Sequence, residues 1–392
     1  MDNKVVDNDN LHCRKICYRC LVFCLVLVLA CLSISGCGQS SSTGLTSEQT
    51  RTLEFFTEGQ EGLLDRINKI YSCSDYTFVF FSDLHNGWRN LIKMLDTANT
   101  LRVNAVINAG DTVLKYINDS ETDFSWYTSM IGESKVDVLT AVGNHDVWEN
   151  GYWIKAEPNL TYREIIKPVI KNVDWIIQPD GAEENGLCYY YKDYGHIRVI
   201  VLNAMAGDPS VAFWDDNEAN WLKAVLSESL KEKKHVICVN HAPFNKEISI
   251  RNQDYNWNSI EDYRLLVDYD NICTENEALS IVQEYINNGG VFICWLCGHT
   301  HVDEVLQASG YPGQLMLGIA SARYSFHSDG LVSEDKNDPS FYCFDYLGIN
   351  EEDGMLYRTR FGWNIDSSLK VRDFFAYDYI NDIIFDSNKR IE

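Results

Sequence analysis

The chain alternates between short apolar runs and longer stretches with helical periodicity, and this alternation restricts the fold more than any other feature of the sequence. Apolar and β-branched residues predict seven strands, over Tyr76–Ser82, Val103–Asn108, Val136–Ala141, His196–Asn203, His235–Asn240, Val291–Cys297 and Gln314–Ile319. Apolar residues on one helical face predict three helices, over Asn90–Leu101, Glu218–Leu230 and Glu275–Asn288. Strands that alternate with helices are typical of an α/β protein.

The C-terminal segment 341–376 has alternating apolar residues on both sides of an acidic turn. This pattern predicts a pair of strands. We expect the pair to complete a sheet of the main domain instead of forming a second domain. No internal repeat of the length found in solenoids or propellers is visible. The expected organisation is a single domain over residues 51–392 that includes these C-terminal strands.

Polar side chains follow five of the predicted strands, at or just after their C-terminal ends. The five groups are Asp83-Leu84-His85, Gly110-Asp111, Gly143-Asn144-His145-Asp146, Asn240-His241 and Gly298-His299-Thr300-His301. Ligands of open α/β sheets bind in the crevice outside the carboxyl ends of the strands, so we expect these groups to converge. The glycines before Asp111, Asn144 and His299 allow sharp turns and a close approach of the backbone to the site.

The residue types in these groups favour a metal site. Carboxylate and amide oxygens together with imidazole nitrogens suit Mn, Fe, Zn or a related divalent ion. A lone Asp-x-His is more often a turn or a strand edge, and a single Gly-Asp or Asn-His is less specific still. Gly-Asn-His-Asp and Gly-His-Thr-His are moderately specific, and the five motifs in this order are specific together.

The order of the five motifs resembles the calcineurin-like metallophosphoesterase family over about residues 76–320. The resemblance implies an α/β fold in which two β-sheets pack face to face with flanking helices, an αββα sandwich. It also implies two divalent metal ions, of which the first would be held by Asp83, His85, Asp111 and His301, and the second by Asp111, Asn144, His241 and His299. Asp111 would bridge the two ions, whose identity among Mn, Fe, Zn and similar metals stays open.

The same resemblance implies hydrolysis of a phosphomonoester or a phosphodiester by a water that the two metal ions activate. His145 would be catalytic, because by the resemblance it faces the substrate and can donate a proton to the leaving oxygen. Many family members carry an acidic residue three positions after the bridging aspartate, where it pairs with this histidine, but Leu114 occupies that position here. Asp146 either orients His145 in its place or hydrogen-bonds the turn.

A second class of function stays open at the level of the sequence. The chain would then be a cell-surface binding protein that keeps the phosphoesterase fold with little turnover. All seven predicted metal ligands and His145 are present, which favours the enzyme. A dinuclear zinc hydrolase that acts on amides or lactams would show an H-x-H-x-D-H cluster, which the sequence lacks.

The N-terminus has the pattern of a bacterial lipoprotein signal peptide. Basic residues precede the apolar run 21–32, which is short for a membrane-spanning helix of about 20 apolar residues. The following Ile34-Ser35-Gly36-Cys37 resembles a lipobox. It predicts a signal peptide over residues 1–36, lipidation of Cys37 and a lipidated polar leash over residues 37–50. An uncleaved anchor helix is the alternative, and both interpretations place the protein outside the cytoplasm, at the bacterial membrane.

The strong negative charge of the chain limits its partners. The formal net charge is -24 at pH 7, and no basic stripe is visible. Proteins that bind nucleic acids need Lys and Arg to neutralise phosphates, so no structural nucleic-acid partner is expected. The predicted metal ions would offset the charge locally and allow a phosphate-ester substrate to bind.

One cysteine pair has the spacing of a redox or zinc motif, Cys294-Trp295-Leu296-Cys297. The pair lies within a predicted apolar strand, and no second pair of this spacing accompanies it. We therefore expect two buried thiols instead of a redox or zinc site.

Overall fold

The structure of the chain is a computed structural model. It describes residues 44–58, 60–113, 121–149, 152–153, 162–203, 216–243, 275–299, 301, 304–308, 310–319, 321–322, 335–362, 374–386 and 389–390. The predicted signal peptide over residues 1–36, the lipidation site Cys37 and Leu114 lie outside these residues.

Sixteen strands lie in the described part of the chain. They are β1 (Tyr76–Phe81), β2 (Ala105–Asn108), β3 (Asp137–Thr140), β4 (Trp148–Glu149), β5 (Tyr152–Trp153), β6 (Tyr190–Tyr194), β7 (Ile197–Val201), β8 (His235–Val239), β9 (Val291–Cys297), β10 (Glu304–Gln307), β11 (Leu315–Gly318), β12 (Cys343–Asn350), β13 (Met355–Gly362), β14 (Phe374–Asp378), β15 (Ile383–Asp386) and β16 (Lys389–Arg390). An eight-stranded sheet has the order β16-β15-β14-β13-β12-β1-β2-β3, and a six-stranded sheet has the order β10-β11-β9-β8-β7-β6. Strands β4 and β5 form a small hairpin.

Helices connect and cover the strands. The α-helices are α1 (Ser47–Leu53), α2 (Leu63–Cys73), α3 (Trp88–Leu101), α4 (Glu121–Gly132), α5 (Lys167–Asn172), α6 (Ala182–Asn185), α7 (Asp216–Glu232) and α8 (Glu275–Asn287). Short 3₁₀ turns lie at Glu54–Thr57, His145–Val147 and Pro339–Phe341, and one π turn lies at Tyr162–Ile166. Within the described residues, every helix is too short or too polar to cross a bilayer.

The two large sheets share one apolar core. The ring of Phe78 on β1 lies 5.7 Å from that of Tyr194 on β6, and Val199 and Val201 belong to the same buried cluster. Side chains of a strand alternate between its faces, so Ile200 and its neighbours point the other way, where α7 and α8 cover them. This arrangement confirms the predicted α/β fold of two packed sheets with flanking helices.

The C-terminal strands complete the eight-stranded sheet, as the sequence predicted. Strand β12 pairs antiparallel with β1, and β12 and β13 form a hairpin that places Asn350 opposite Met355. Strand β1 therefore lies inside the sheet, between β2 and β12. The C-terminal segment is part of the main domain and supports the strand from which Asp83 and His85 extend.

Part of the predicted polar leash is helical. Residues 47–50 belong to α1, which begins after a capping box in which Thr46 and Gln49 bond each other's backbone N–H groups. Gln49 also donates to the carbonyl oxygen of Thr100, at 2.9 Å. The polar residues that resembled a leash include the capping signal of this helix.

The two cysteines of the Cys-x-x-Cys motif are both buried in β9. Cys294 packs in the core between the sheets, whereas Cys297 belongs to the cluster beneath α7 and α8. They lie on opposite faces of the sheet because they are an odd number of residues apart in a strand. The structure therefore agrees with two buried thiols.

Candidate metal centre

The loops after β1, β2 and β3 are braced against one another at the carboxyl edge of the first sheet. Backbone N–H groups of residues 83, 85 and 86 donate to carbonyl oxygens of residues 110, 111 and 112, at 2.9, 3.0 and 3.1 Å. The second sheet brings in the ends of β8 and β9, where Gly298 N donates to the His241 carbonyl oxygen at 2.8 Å. His145 N donates to Asp111 Oδ1 and His299 N donates to Asp83 Oδ2, so all five predicted motifs meet at one place.

Four residues form the first group of predicted ligands, Asp83, His85, Asp111 and His301. One ligand atom from each lies within 4.8 Å of the others. His301 Nε2 is 3.1 Å from both His85 Nε2 and Asp83 Oδ1. The group is buried except for His301, whose side chain is 22% exposed, so the cluster opens toward solvent at that residue.

The second group is centred on the amide oxygen of Asn144. This Oδ1 atom lies 2.9 Å from His241 Nε2 and 2.8 Å from His299 Nδ1. Asp111 Oδ2 is 3.3 Å from His241 Nε2 and 3.9 Å from His85 Nε2, so one carboxylate oxygen faces both groups. Asp111, which the resemblance implies as the bridging ligand, therefore lies between the two groups of predicted ligands.

The donor atoms fit divalent metal ions. Asp83 Oδ1 is buried and lies 3.1 Å from His301 Nε2, so it faces the cluster. His241 Nδ1 lies 2.9 Å from the Ala109 carbonyl oxygen, and donation to it directs Nε2 toward the cluster. A second-shell bond of this kind fixes the orientation of a ligating histidine. Mixed imidazole and oxygen donors of this kind hold Mn, Fe or Zn.

The buried histidines of the cluster differ in their protonation state. Burial lowers the pKa of His85 to about 4 and that of His299 to about 3, so both imidazoles are neutral at pH 7. Burial also opposes a charge on His241, but the Asp111 carboxylate raises its pKa to about 9. Without metal, His241 therefore carries the positive charge that neutralises Asp111.

Both carboxylates stay ionised despite their burial. Desolvation alone would raise the pKa of Asp83, but the charge and hydrogen bond of His301 lower it to about 2. Desolvation also opposes ionisation of Asp111, and His241, His145 and His85 together hold its pKa well below the usual range. The cluster thus offers anionic oxygen ligands at physiological pH.

The backbone at the site is held in an unusual conformation. Five of the seven predicted ligands have positive φ angles between 45° and 67°, namely Asp83, His85, Asp111, His299 and His301. Non-glycine residues in this region cost on the order of 1–3 kcal/mol each and persist where their surroundings hold them. Such residues cluster at functional sites, and no residue pattern in the sequence predicted these φ angles.

Two of the motif glycines are required by close backbone contacts. A Cβ atom at Gly143 would lie less than 3.0 Å from Asp111 N and Oδ1. One at Gly298 would lie as close to Ser82 Oγ and Asp83 Oδ2. The expected close approach of the backbone is therefore present at both turns.

Hydrogen bonds from backbone N–H groups fix the two carboxylates. Asp111 Oδ1 accepts from His145 N at 2.7 Å, and Asp83 Oδ2 accepts from His299 N at 3.0 Å. Ser321 Oγ donates to the Asp83 carbonyl oxygen at 2.8 Å. Each aspartate keeps its other carboxylate oxygen for the cluster.

The two residues after Asn144 have different positions. The His145 ring is partly exposed and lies edge-on against His85, with ring centroids 4.7 Å apart. Asp146 is buried and accepts from Gly143 N at 2.8 Å and from Val113 N at 3.1 Å. Burial and the nearby Asp111 charge raise the pKa of Asp146 to about 7. Of the two roles considered for Asp146, the structure shows the hydrogen bonding of the turn.

Comparison with known proteins gives one family and a set of similar folds. The family model of calcineurin-like phosphoesterases matches residues 76–303. The search of the curated proteins found no match. Among solved structures, a dimetal phosphatase from Danio rerio is 13% identical with a TM-score of 0.49, over 74% of this chain and 97% of that chain.

Two further structures share less of their own length with this chain. The purple acid phosphatase PPD1 from yellow lupin is 12% identical with a TM-score of 0.42, over 77% of this chain and 53% of that chain. An NAD nucleotidase from Haemophilus influenzae is 9% identical with a TM-score of 0.37, over 80% of this chain and 49% of that chain. The match spans about half the length of each of these two proteins.

Proposed function

The chain belongs to the calcineurin-like phosphoesterase family, and we propose that it hydrolyses a phosphomonoester or a phosphodiester outside the cytoplasm. As a member of this family it is a phosphoric ester hydrolase that uses two divalent metal ions. The observation that carries the proposal is the shared carboxylate, because Asp111 Oδ2 lies between His85 on one side and His241 on the other.

The residues of the site divide the chemistry among them. When bound, two divalent ions polarise the phosphoryl oxygens and supply a nucleophilic water at neutral pH. Asp83, His85, Asp111 and His301 would hold one ion, and Asp111, Asn144, His241 and His299 would hold the other. His145 is the proton donor to the leaving oxygen, since its ring lies beside His85 but outside the ligand atoms.

The proposed location rests on the N-terminal sequence. A basic flank, a short apolar run and Ile34-Ser35-Gly36-Cys37 support export and lipid attachment at Cys37. The substrate is then a phosphate ester that reaches the outer face of the membrane. The catalytic site itself favours neither monoesters nor diesters.

The test is a screen of phosphate esters with purified residues 38–392, in parallel with metal analysis. We expect two bound divalent ions, loss of activity on chelation and recovery when metal is added back. Asp111→Asn should lower the affinity for both ions because it changes the shared ligand. Asp83→Asn should lower the affinity for chiefly one of them. Asp65→Asn, on the exposed face of α2, is the matched control and should change neither.

Two results would contradict the proposal. A fully active protein with no more than one tightly bound ion would exclude the dinuclear mechanism. Two bound ions without turnover of any phosphate ester would instead favour the binding protein that keeps the fold.

A further inference from the structure

Asn108 ends β2, three residues before Asp111, and is completely buried. Its Oδ1 atom accepts from Gly110 N at 3.0 Å. Its Nδ2 atom donates to Thr112 Oγ1 at 3.0 Å and to Tyr127 OH at 3.3 Å. A backbone N–H can only donate, so the oxygen of the amide must face Gly110 and the nitrogen must face Thr112.

These bonds hold the chain on both sides of Asp111. Gly110 precedes the aspartate and Thr112 follows it, so one side chain fixes both of its neighbours. Asp111 itself has a φ of 51°, a conformation that persists only where the surroundings hold it. Its carboxylate orientation depends on that backbone, because Oδ1 is bonded to His145 N and Oδ2 faces the ligand cluster.

The Asn108 amide is in turn anchored to other elements of the fold. Tyr127 on α4 contacts both the amide and the hydroxyl group of Thr140 on β3. The backbone of Thr140 exchanges hydrogen bonds with Tyr190 OH at 2.8 and 3.1 Å, and Tyr190 lies on β6 of the other sheet. All of these side chains are buried. Side-chain networks that are satisfied in this way rigidify the core around them.

We propose that Asn108 is a positioning residue of the dinuclear centre, which acts through Gly110 and Thr112 to aim Asp111 Oδ2 at both metal ions. The inference rests on the proposed two-ion site. It assigns a role to a residue that contributes no ligand atom. Outer partners of metal ligands typically contribute 10–100-fold to metal affinity, and Asn108 acts on the ligand that both ions share.

The test uses purified residues 38–392 with Mn(II) alone as the probe. We expect Asn108→Ala to weaken both Mn(II) sites about 10–100-fold and to alter the exchange-coupled EPR signal of the bridged pair. Thr112→Val, which removes only the hydroxyl partner, should weaken both sites in the same direction. Thr112→Ser keeps that hydroxyl and should bind as the wild type does.

Asn104→Ala is the matched control, because Asn104 lies before the opposite end of β2 and accepts from Thr77 N at 2.8 Å. It should lower the melting temperature without changing Mn(II) binding. If Asn108→Ala and Thr112→Val behaved like this control, with wild-type Mn(II) affinities and EPR signal, the positioning role would be wrong. A wild-type protein that binds a single Mn(II) would refute the two-ion premise itself, a result that the variants cannot mimic.

Discussion

His145 lies beside the ligand cluster, and its role can be separated from metal binding. A positioned proton donor contributes typically 10²–10⁴-fold when the leaving oxygen needs a proton. We therefore expect His145→Ala to slow esters of ordinary alcohols strongly and esters of acidic phenols such as p-nitrophenol much less. Metal content should stay normal, because His145 is not among the seven predicted ligands. The comparison of kcat/KM for the two leaving groups, with metal analysis of the variant, checks this.

Equal losses for both leaving groups at unchanged metal content would contradict the proton-donor role. They would indicate that His145 stabilises charge on the phosphoryl group in the transition state instead.

His241 should make metal binding depend on pH. Its pKa is about 9 in the metal-free protein, so at neutral pH it carries a proton that must leave before Nε2 can bind a metal ion. The affinity should therefore rise as the pH rises, by about tenfold per unit between about pH 7.5 and 8.5, and level off above the pKa. In this range Asp146, with a pKa of about 7, is mostly ionised.

Calorimetric titration of Mn(II) in buffers of different ionisation enthalpy counts the released proton. His235→Gln, a change at the start of β8 away from the site, should leave that count unchanged. A metal affinity that does not vary over this pH range would show that His241 is already neutral.

The sequence predicted candidate metal ligands but not what holds them in place. Asp, Asn and His residues recur after strand ends, and that recurrence is visible without a structure. The positive φ angle of Asp111 and the bonds that Asn108 makes around it depend on packing against α4 and β3. An asparagine at the end of an apolar strand gives only a weak signal of that role.

At the level of elements, local patterns predicted where the strands lie in the chain better than which strands pair with each other. Strand β9 was predicted with the observed bounds, and the predicted Tyr76–Ser82 is observed as Tyr76–Phe81. Helices α1 and α2 were not predicted, and α1 has seven residues with a capping box as its main signal. The insertion of β12 beside β1 joins distant parts of the chain, and such pairings leave no mark in local periodicity.

The inserted strands also carry a buried ion cluster whose removal should destabilise the sheet. Asp345 on β12 accepts from Arg358 Nε at 2.6 Å and from Arg360 Nε at 2.7 Å, and all three residues are buried. Asp345→Asn keeps the shape but removes the charge shared by two guanidinium groups. The loss of one partner of a buried ion pair costs about 3–5 kcal/mol, so we expect a fall of that size in the free energy of unfolding.

Urea unfolding of the variant measures this loss. Glu183→Gln is the control, because Glu183 and its partner Lys167 are both more than half exposed. The control should change the unfolding midpoint little, since exposed pairs contribute little to stability. A variant at Asp345 as stable as the control would show that the two arginines are adequately neutralised without this carboxylate.

For the whole molecule, the formal net charge is -24, and three buried arginines are paired with carboxylates. Arg198 makes two bonds to Asp193, at 2.8 and 2.9 Å, and one to Glu232 at 2.9 Å. Arg358 and Arg360 share Asp345. Because these guanidinium groups are neutralised where they lie, the metal ions are the positive charge that we expect to attract an anionic phosphate ester.

We propose that the position of this acidic enzyme in the cell depends on lipidation of Cys37. The anionic surface would not be drawn to an anionic membrane, so stable attachment requires the lipid. One acyl chain binds a bilayer only marginally, whereas two or more hold a protein firmly.

We expect Cys37→Ala to abolish labelling by an alkyne fatty acid in a bacterial host. Cys31→Ala, within the apolar run, is the control and should be labelled normally. If Cys37→Ala were labelled as the wild type is, the lipidation site would be wrong. If neither the wild type nor Cys37→Ala were labelled and both stayed in the membrane fraction, the N-terminal run would act as an uncleaved anchor helix instead.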